Sequence, residues 1–582
     1  MMNIFSQRLI AETACGHNGN IKILKKLINI AKNCGVKTIK FQIFNINERA
    51  IPGTKEWSIF SKLELKEEEW KVAINYAKNM KFNIVADVYG DKSFTLASNL
   101  KVDAFKVHSE DFFNNYFITK VIKSKKPVLI STGGTYRSEL FDLISWLHKK
   151  NMLHSNIYLV PGIQVFPTPV KAHYVNEIVD LKKKYSRFGV KIAYADHISG
   201  NDPLSEIFPF ATLGAGAEFI EKHFTDSRKL KRIDYHSALD QSQLKKFIIN
   251  LNKFIPTLNN QKKFSKEEYK YRKMFKKIPV INFGKKKNSK IKSTEIKFVK
   301  NVKIQSNLSS SFLVNKETNK NLKKNHPLSL LDLKQTTGAI IVVRLNSARF
   351  PNKAIKKING VNSISLLIRR LKKIKELNKI ILATSKNKTD DILEKIARFE
   401  NIKFFRGSLN NVANRYYMAA KKFKIDQIVR VTGDAILCDE VMISKAIHSQ
   451  LKHNSDVTFI KNMPYGTAKE VMNFKTIKTI SEQSKVNENT EYLEWYLENS
   501  RNFNVNYIKS RYKFNNSMRL TLDFKEDLVL FDKVFKYFKD KNADFTLKSV
   551  IKLLNERKKL IKINSFLTPK FKRTEINTEL NI

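Results

Sequence analysis

Along the first 255 residues, short apolar or β-branched runs alternate with amphipathic stretches. The runs cover residues 8–14, 38–44, 83–89, 104–109, 127–132, 157–160, 191–197 and 219–225. Each ends in polar or glycine residues, as strands that give way to loops do. Between them, residues 21–33 and 66–79 carry helical spacing. The second places Trp70, Ala73, Ile74 and Ala77 on one face, at i, i+3, i+4 and i+7. Eight strands alternating with helices predict an α/β fold of the (β/α)8 TIM barrel type, with a doubly wound open sheet as the alternative.

The pattern weakens over residues 259–335, which are rich in Lys, Asn and Ser, with apolar islands at 278–283 and 296–299. This stretch is either a linker or a small module. A second α/β pattern begins at Gly338. Its first run, 339–343, is continuously apolar and suits a buried parallel strand. Further strands are expected at 380–384, 403–405, 427–432, 457–461 and 518–522. Four of these six end at a charged or hydroxyl residue, as around a nucleotide crevice. The expected division is 1–258, 259–335 and 336–582.

Composition changes this picture little. The chain has 582 residues, with 42% hydrophobic and 11% aromatic content, which excludes wholesale disorder. Its cysteines, Cys15, Cys34 and Cys438, have neither metal spacing nor the number for a disulfide framework. No run of 18 apolar residues lacks a charge, so no membrane span is expected. Residues 1–8 are too short before their first charge for a secretory core, so the expected location is cytoplasmic. The formal charge is +53, from 107 Lys+Arg against 54 Asp+Glu. Such an excess suggests a polyanionic partner. Lys, however, outnumbers Arg several-fold and is spread evenly, which fits compositional drift on solvated faces. No nucleic acid is expected as partner.

The strand ends concentrate the chemistry. In the first half they offer Glu12, Lys40 with Gln42, Asp87, Lys106 with Ser109, Ser131-Thr132, Asp196-His197 and Glu221-Lys222-His223. Converging polar groups at the C-terminal ends of barrel strands form a site, because buried charge is costly unless used or paired. His197 and His223, at the ends of neighbouring predicted strands, can share a divalent metal, or be ordinary core histidines. Lys40 and Lys106 suit a phosphorylated, carboxylated substrate.

These residues resemble the sialic acid synthase family. Eight motifs occur in the family's order: Glu12, Gly16-His17-Asn18-Gly19, Lys40-Phe41-Gln42, Phe105-Lys106-Val107, Leu129 to Gly133, Phe166-Pro167-Thr168-Pro169, Ala195-Asp196-His197 and Glu221 to Thr225. The resemblance implies a barrel that condenses phosphoenolpyruvate with an N-acyl hexosamine aldehyde into a nonulosonic acid. By it, His197 and His223 would hold Mn²⁺ or Mg²⁺. Lys40, Lys106, Ser109 and Ser131 would hold phosphoenolpyruvate, and Glu12, Asp111, Gln164, Phe166 and Asp234 would line the sugar side. Three positions depart from the family pattern. Asp87 and Ala195 stand where hydroxyl donors are usual, and Phe166 where a Tyr is. Residues 272–333 faintly resemble the family's small antifreeze-like (SAF) module, through which a homodimer is expected. Its substrate-reaching Arg would correspond to Asn301, beside Lys300.

In the second half, Arg344, Ser347, Arg349, Pro351 and Lys353 follow a buried strand on one loop that lacks the glycines of a Walker loop. Such a loop can wrap a triphosphate with side-chain cations and backbone N–H groups. Asp434 and Asp523 each follow an expected strand and can clamp Mg²⁺. With Ala383-Thr384-Ser385, Phe405 to Ser408, Asn414-Arg415-Tyr416, Arg430 to Asp434 and Leu520 to Asp523, the set resembles cytidylyltransferases of the acylneuraminate and spore-coat polysaccharide type. The resemblance implies a Rossmann-like nucleotidyltransferase fold with CTP as donor. Arg349 and Lys353 would stabilise the triphosphate, Asp434 and Asp523 would carry Mg²⁺, and Glu470 would be the acid left in the sugar-binding region.

A synthase makes a keto acid sugar with an anomeric hydroxyl, and a cytidylyltransferase activates that hydroxyl. Tethering raises the local concentration of the shared intermediate. The expectation is a bifunctional enzyme producing a CMP-nonulosonic acid. The rivals are a chain whose transferase half alone is active, a nucleic-acid-binding protein and a non-catalytic scaffold.

Overall fold

The computed structural model describes residues 4–163, 165, 167–258, 264–301, 306–347, 349–483, 493–497 and 502–570. The chain divides into two compact units, Met1–Asn260 and Gln261–Ile582.

The first unit contains β1 (Leu9–Glu12), β2 (Thr38–Phe44), β3 (Asn83–Tyr89), β4 (Ala104–Val107), β5 (Val128–Ser131), β6 (Ile157–Val160), β7 (Lys191–Ile192), β8 (Tyr194–Asp196) and β9 (Ile220–His223). All pair in parallel, in the order β7-β6-β5-β4-β3-β2-β1-β9-β8. The run expected at 191–197 is two short strands because its backbone changes partner midway. Ala193 N donates to Leu159 O of β6 at 2.9 Å, and Tyr194 N donates to Phe219 O beside β9 at 3.1 Å. Ala195 N then returns to Pro161 O at 3.1 Å. This stretch therefore closes the sheet, and the barrel expectation holds over the open sheet.

Strand alternation sorts the side chains. Ile10, Val85, Ala104, Leu129, Ala193 and Phe219 fill the barrel interior. Leu9, Ile39, Ile84, Phe105, Ile130 and Ile220 point outward into a larger core shared with the helices. Helix Glu67–Asn79 buries Trp70, Ala73, Ile74 and Ala77, the face its spacing predicts. The neighbouring strands β8 and β9 carry a buried ion pair, Lys222 with Asp196.

The second unit begins with helix Lys266–Phe275 and an antiparallel pair, β10 (Lys277–Ile281) and β11 (Ile296–Lys300). Ile281, Ile291, Leu313, Leu322, Leu328, Leu330 and Leu333 form a small core there, joined by Leu451. Asn454 Oδ1 accepts from Leu330 N at 2.8 Å, which ties this module to helix Glu440–His453.

The larger sheet holds β12 (Thr337–Val342), β15 (Lys379–Ser385), β16 (Lys403–Gly407), β17 (Gln427–Thr432), β18 (Val457–Lys461), β19 (Val471–Asn473) and β20 (Val505–Lys509). The hairpin β13 (Lys357–Ile358) with β14 (Val361–Asn362) lies outside it. The order is β16-β15-β12-β17-β19-β18-β20, with β19 antiparallel to both neighbours. The expected strand at 518–522 does not form. Its alternating Met518, Leu520 and Leu522 are buried against helices Lys525–Asp540 and Leu547–Glu556. Its backbone bonds to loops instead: Leu520 N to Tyr465 O at 2.8 Å, and Leu522 N to Asp434 O at 3.1 Å. Residue alternation recorded burial here, not ladder pairing. Among the described residues, no helix is long and apolar enough to cross a membrane.

Candidate active sites

Above the apolar filling of the barrel lies a layer of charge. Register places Glu12 beside Lys40 and His223, and Asp87 beside Lys106. Lys40 Nζ lies 2.8 Å from Glu12 Oε2, 2.8 Å from Glu221 Oε1 and 3.1 Å from Asp87 Oδ2. Lys106 Nζ lies 2.6 Å from the same Glu221 oxygen and 3.8 Å from Asp87 Oδ2. All five side chains are at most 2% exposed. Burial opposes the charge on Lys40, but Asp87, Glu12 and Glu221 outweigh it and raise its pKa well above the ordinary lysine value. Glu12 stays well below the usual carboxylate range, because Lys40 and His223 overcome its burial.

The two histidines meet at this layer. Their rings are 5.0 Å apart and nearly perpendicular, at 85°. His223 Nε2 is 3.1 Å from Glu12 Oε2. Burial, then the neighbouring His223, keeps His197 well below the usual imidazole value. A neutral imidazole is the form that ligates a metal. For His223, Glu12 outweighs burial and raises the value. The pair offers two imidazoles and an adjacent carboxylate, a donor set chemically suited to a divalent cation. Among the described residues, no group of three or more His, Cys, Asp or Glu side chains is arranged to hold a metal ion.

The remaining candidates divide. Asp234 is mostly buried in left-handed backbone, φ 63°. Burial raises its carboxyl, while His223 pulls it down. Ser131, on the inward face with Leu129, is buried at the end of β5. Ser109 and Asp111 form the single turn that follows β4. Gln164 and Phe166 lie outside the described residues. The Gly16 to Gly19 motif is structural. His17 Nδ1 accepts from Gly19 N at 3.0 Å, burial lowers the His17 pKa to about 4, and a Cβ on Gly19 would stand 2.1 Å from Lys62 O.

Three residues given no role by the sequence matter here. Glu221 bridges both lysines. Gln42 donates to Glu12 Oε1 at 2.7 Å and accepts from the Cys15 thiol at 3.3 Å. Arg49 holds Glu110 through two hydrogen bonds, 3.2 and 3.1 Å, within a box of Phe44, Phe60 and Tyr89. It thereby fixes the turn that carries Ser109 and Asp111. Glu221 and Gln42 stand among the polar strand ends of the sequence, and alternation on β9 puts Glu221 on one face with His223.

In the second unit the loop after β12 meets two carboxylates. Lys353 Nζ lies 2.8 Å from Asp523 Oδ1 and 3.3 Å from Asp434 Oδ2. Arg349 Nη2 lies 3.4 Å from the same Asp523 oxygen. Lys353, then Lys469, outweighs burial and holds Asp434 below the usual carboxylate range. Lys353 is raised, because Asp434 and Asp523 overcome its burial. An ammonium seated between two carboxylates shows that this pocket accepts a cation, and hard oxygen donors suit Mg²⁺.

Supports for this cluster come from residues that the motifs did not include. Arg519, fully buried, holds Asp523 Oδ2 at 2.9 Å and Asp527 Oδ1 at 3.0 Å. Asp527 in turn accepts from Asp523 N at 2.8 Å. Asp390 accepts from Leu345 N at 2.9 Å, Thr384 Oγ1 at 2.7 Å and Ser385 Oγ at 2.6 Å. The Thr384-Ser385 motif therefore anchors the Arg344 loop. Arg415 is likewise structural, donating to Ser408 O and Leu409 O at 2.8 and 2.9 Å. Gly433 is required by packing, since a Cβ there would stand 2.6 Å from Val343 Cγ2. Arg344 is exposed and Ser347 half-buried on the same loop. Glu470 is engaged by Arg430 in a buried pair. Ala348 lies outside the described residues.

Comparison with known proteins matches these two sites to two families. Residues 27–263 match the NeuB family, and residues 338–563 match the Cytidylyltransferase family. Protein MJ1063 of Methanocaldococcus jannaschii is 32% identical over 228 residues, covering 39% of this chain and 93% of that protein. The N,N'-diacetyllegionaminic acid synthase of Campylobacter jejuni is 26% identical over 277 residues, covering 45% and 80%. The spore coat polysaccharide biosynthesis protein SpsF of Bacillus subtilis is 28% identical over 223 residues, covering 37% and 92%. The chain thus belongs to the NeuB, or sialic acid synthase, family through its N-terminal barrel and to the cytidylyltransferase family through its C-terminal domain, both of them families of transferases.

Proposed function

We propose that this chain makes a CMP-activated nonulosonic acid in two steps, one in each unit. The observation that carries the reading is the pairing on one chain of a barrel with a buried lysine and histidine layer and a nucleotidyltransferase domain with a Lys353, Asp434 and Asp523 cluster. The first chemistry makes the acceptor that the second consumes. Relatives named as nonulosonic acid synthases point the same way.

In the barrel, Lys40 and Lys106 would hold the phosphate and carboxylate of phosphoenolpyruvate, with Ser109 and Ser131 as hydroxyl donors. Asp111 and Asp234 would bind the acylamino hexose. His197 and His223 would hold Mn²⁺ or Mg²⁺, which polarises the aldehyde of the sugar. The enol carbon attacks that aldehyde carbon, a C–C bond forms, and the aldehyde oxygen takes a proton. Water adds to the former C2, and phosphate leaves. Glu12, beside His223, would line the sugar side.

In the second unit, Arg344, Ser347, Arg349 and Lys353 would bind the triphosphate of CTP. Asp434 and Asp523 would hold Mg²⁺, which neutralises phosphate oxygens. The anomeric hydroxyl attacks the α-phosphorus in line, and pyrophosphate leaves. The small module expected at 259–335 would support a homodimer.

The test supplies the full chain with phosphoenolpyruvate, CTP, Mn²⁺ and Mg²⁺. Its acceptors are a panel of 2-acylamino hexoses that includes N-acetylmannosamine and diacetamido hexoses. Phosphate, pyrophosphate and a CMP-sugar mass are expected with one of them. Release of neither leaving group with any acceptor overturns the proposal.

A further inference from the structure

Lys40 and Lys106 are shared among three carboxylates. Three carboxylates, Glu12, Asp87 and Glu221, face two ammoniums, Lys40 and Lys106. Glu221 serves both lysines, and Glu12 serves Lys40 and His223. Asp87 is the third carboxylate on these lysines. It is fully buried, its Oδ2 lies on Lys40 at 3.1 Å and on Lys106 at 3.8 Å. Its Oδ1 is buried with no hydrogen-bond partner among the described residues. A buried carboxylate oxygen left in this way is costly. Taking Asp87 away would still leave one carboxylate for each ammonium, Glu12 on Lys40 and Glu221 on Lys106.

We propose that Asp87 determines which anion this barrel accepts, by acting as an internal competitor for Lys40 and Lys106. An incoming anion must share both ammoniums with a fixed negative charge. The penalty grows with the charge of the ligand, because the Coulomb term scales with the product of the charges. Low local dielectric makes it steeper than in water. Asp87 therefore weakens the binding of a highly charged phosphorylated carboxylate more than that of a singly charged one. Phosphoenolpyruvate carries the larger penalty, and a singly charged carboxylate such as pyruvate is hardly penalised. The idea rests on the reading that phosphoenolpyruvate binds at these lysines.

The experiment measures binding of phosphoenolpyruvate and of pyruvate to the full chain with Mn²⁺ present, by calorimetry. It compares wild type with Asp87→Asn and Asp87→Ser. Both variants are expected to remain folded, because Glu12 and Glu221 still pair with Lys40 and Lys106. Both should bind phosphoenolpyruvate at least about tenfold more tightly, which is ~1.4 kcal/mol. Pyruvate should tighten by less than about threefold. Loss of an ordinary structural residue would weaken both ligands alike. Unchanged or weaker phosphoenolpyruvate binding overturns the proposal, and so does an equal shift for both ligands or unfolding of both variants. If neither wild type nor variant binds phosphoenolpyruvate while all bind CTP, the assignment of the barrel's substrate fails first, and the role of Asp87 falls with it.

Discussion

Asp390 gives the most exposed test of how the second site is held. Its carboxylate binds three donors on two different segments: Leu345 N at 2.9 Å on the triphosphate loop, and Thr384 and Ser385 hydroxyls at 2.7 and 2.6 Å at the end of β15. Burial would raise its pKa, but the Ser385 hydroxyl, the Leu345 amide and the Thr384 hydroxyl together lower it. Asp390→Ala leaves the Leu345 amide without its acceptor at a residue only 4% exposed. An unsatisfied buried amide costs about 1–3 kcal/mol, and each lost hydroxyl bond adds roughly 1 kcal/mol net. The expected loss is about 3–5 kcal/mol in the second unit, or a Tm lower by roughly 6–10 °C. The loop that carries Arg344, Arg349 and Lys353 should also loosen, raising KM for CTP more than it lowers kcat. The sign with pH follows from the lowered value. The stabilisation is present above the unfolded carboxyl pKa of about 3.9 and is lost as pH falls through the folded value. The gap between wild type and variant should therefore be flat from pH 5 to 8 and shrink below about pH 4. Differential scanning calorimetry across that range, with pyrophosphate release at pH 7, decides the matter. A variant that melts with wild type and keeps the same KM for CTP refutes the reasoning.

Three further outcomes are expected. Lys353→Met removes the ammonium between Asp434 and Asp523; pyrophosphate release should fall by roughly 10²–10³-fold, with phosphate release from the barrel unchanged in a separate assay. Asn454→Ala strips the buried Leu330 amide of its 2.8 Å acceptor; it should cost about 1–3 kcal/mol and show as faster proteolysis within residues 306–335. Asp226 is held below the usual carboxylate range because hydrogen bonds from Arg232 and Lys26 outweigh its burial; Asp226→Asn should destabilise the barrel at neutral pH, and a melt series should show that difference beginning to shrink only below the unfolded carboxyl value of about 3.9, as pH falls toward the depressed folded value.

The barrel was legible because alternation and helical spacing agree there. β2 and β3 have the bounds their apolar runs predict, and Trp70 to Ala77 bury the expected face. Residues 518–522 were misread because Met518, Leu520 and Leu522 alternate for burial under two helices, while their amides bond to Tyr465 and Asp434. β19 and β20 were missed for opposite reasons. Val471–Asn473 is only three residues long, and Val505–Lys509 is a half-exposed edge strand without a strong apolar signal. The motifs located Lys40, His197, His223, Lys353, Asp434 and Asp523. They could not separate residues that face a ligand from residues that hold the frame. Asp390, Arg519 and Arg49 act through partners 45, 4 and 61 positions away, and sequence spacing carries no trace of such pairings.

One arrangement recurs in both sites and explains why a formal charge of +53 says so little about ligands. Lys40 sits among Glu12, Asp87 and Glu221, and Lys353 sits between Asp434 and Asp523. The cations best placed to meet anions are thus bound to internal carboxylates, and each site is locally neutral or negative. An isolated buried ammonium would lose its proton or disrupt the core. Paired with carboxylates it stays charged, and the carboxylates remain available to a divalent cation. Ligand binding then exchanges one set of ion pairs for another rather than placing charge in an empty pocket. On this argument the affinity of either site depends on what its lysines release. The carboxylates opposite Lys40, Lys106 and Lys353 are therefore the positions at which substitution should change ligand preference, whereas the exposed lysines that supply most of the net charge should not.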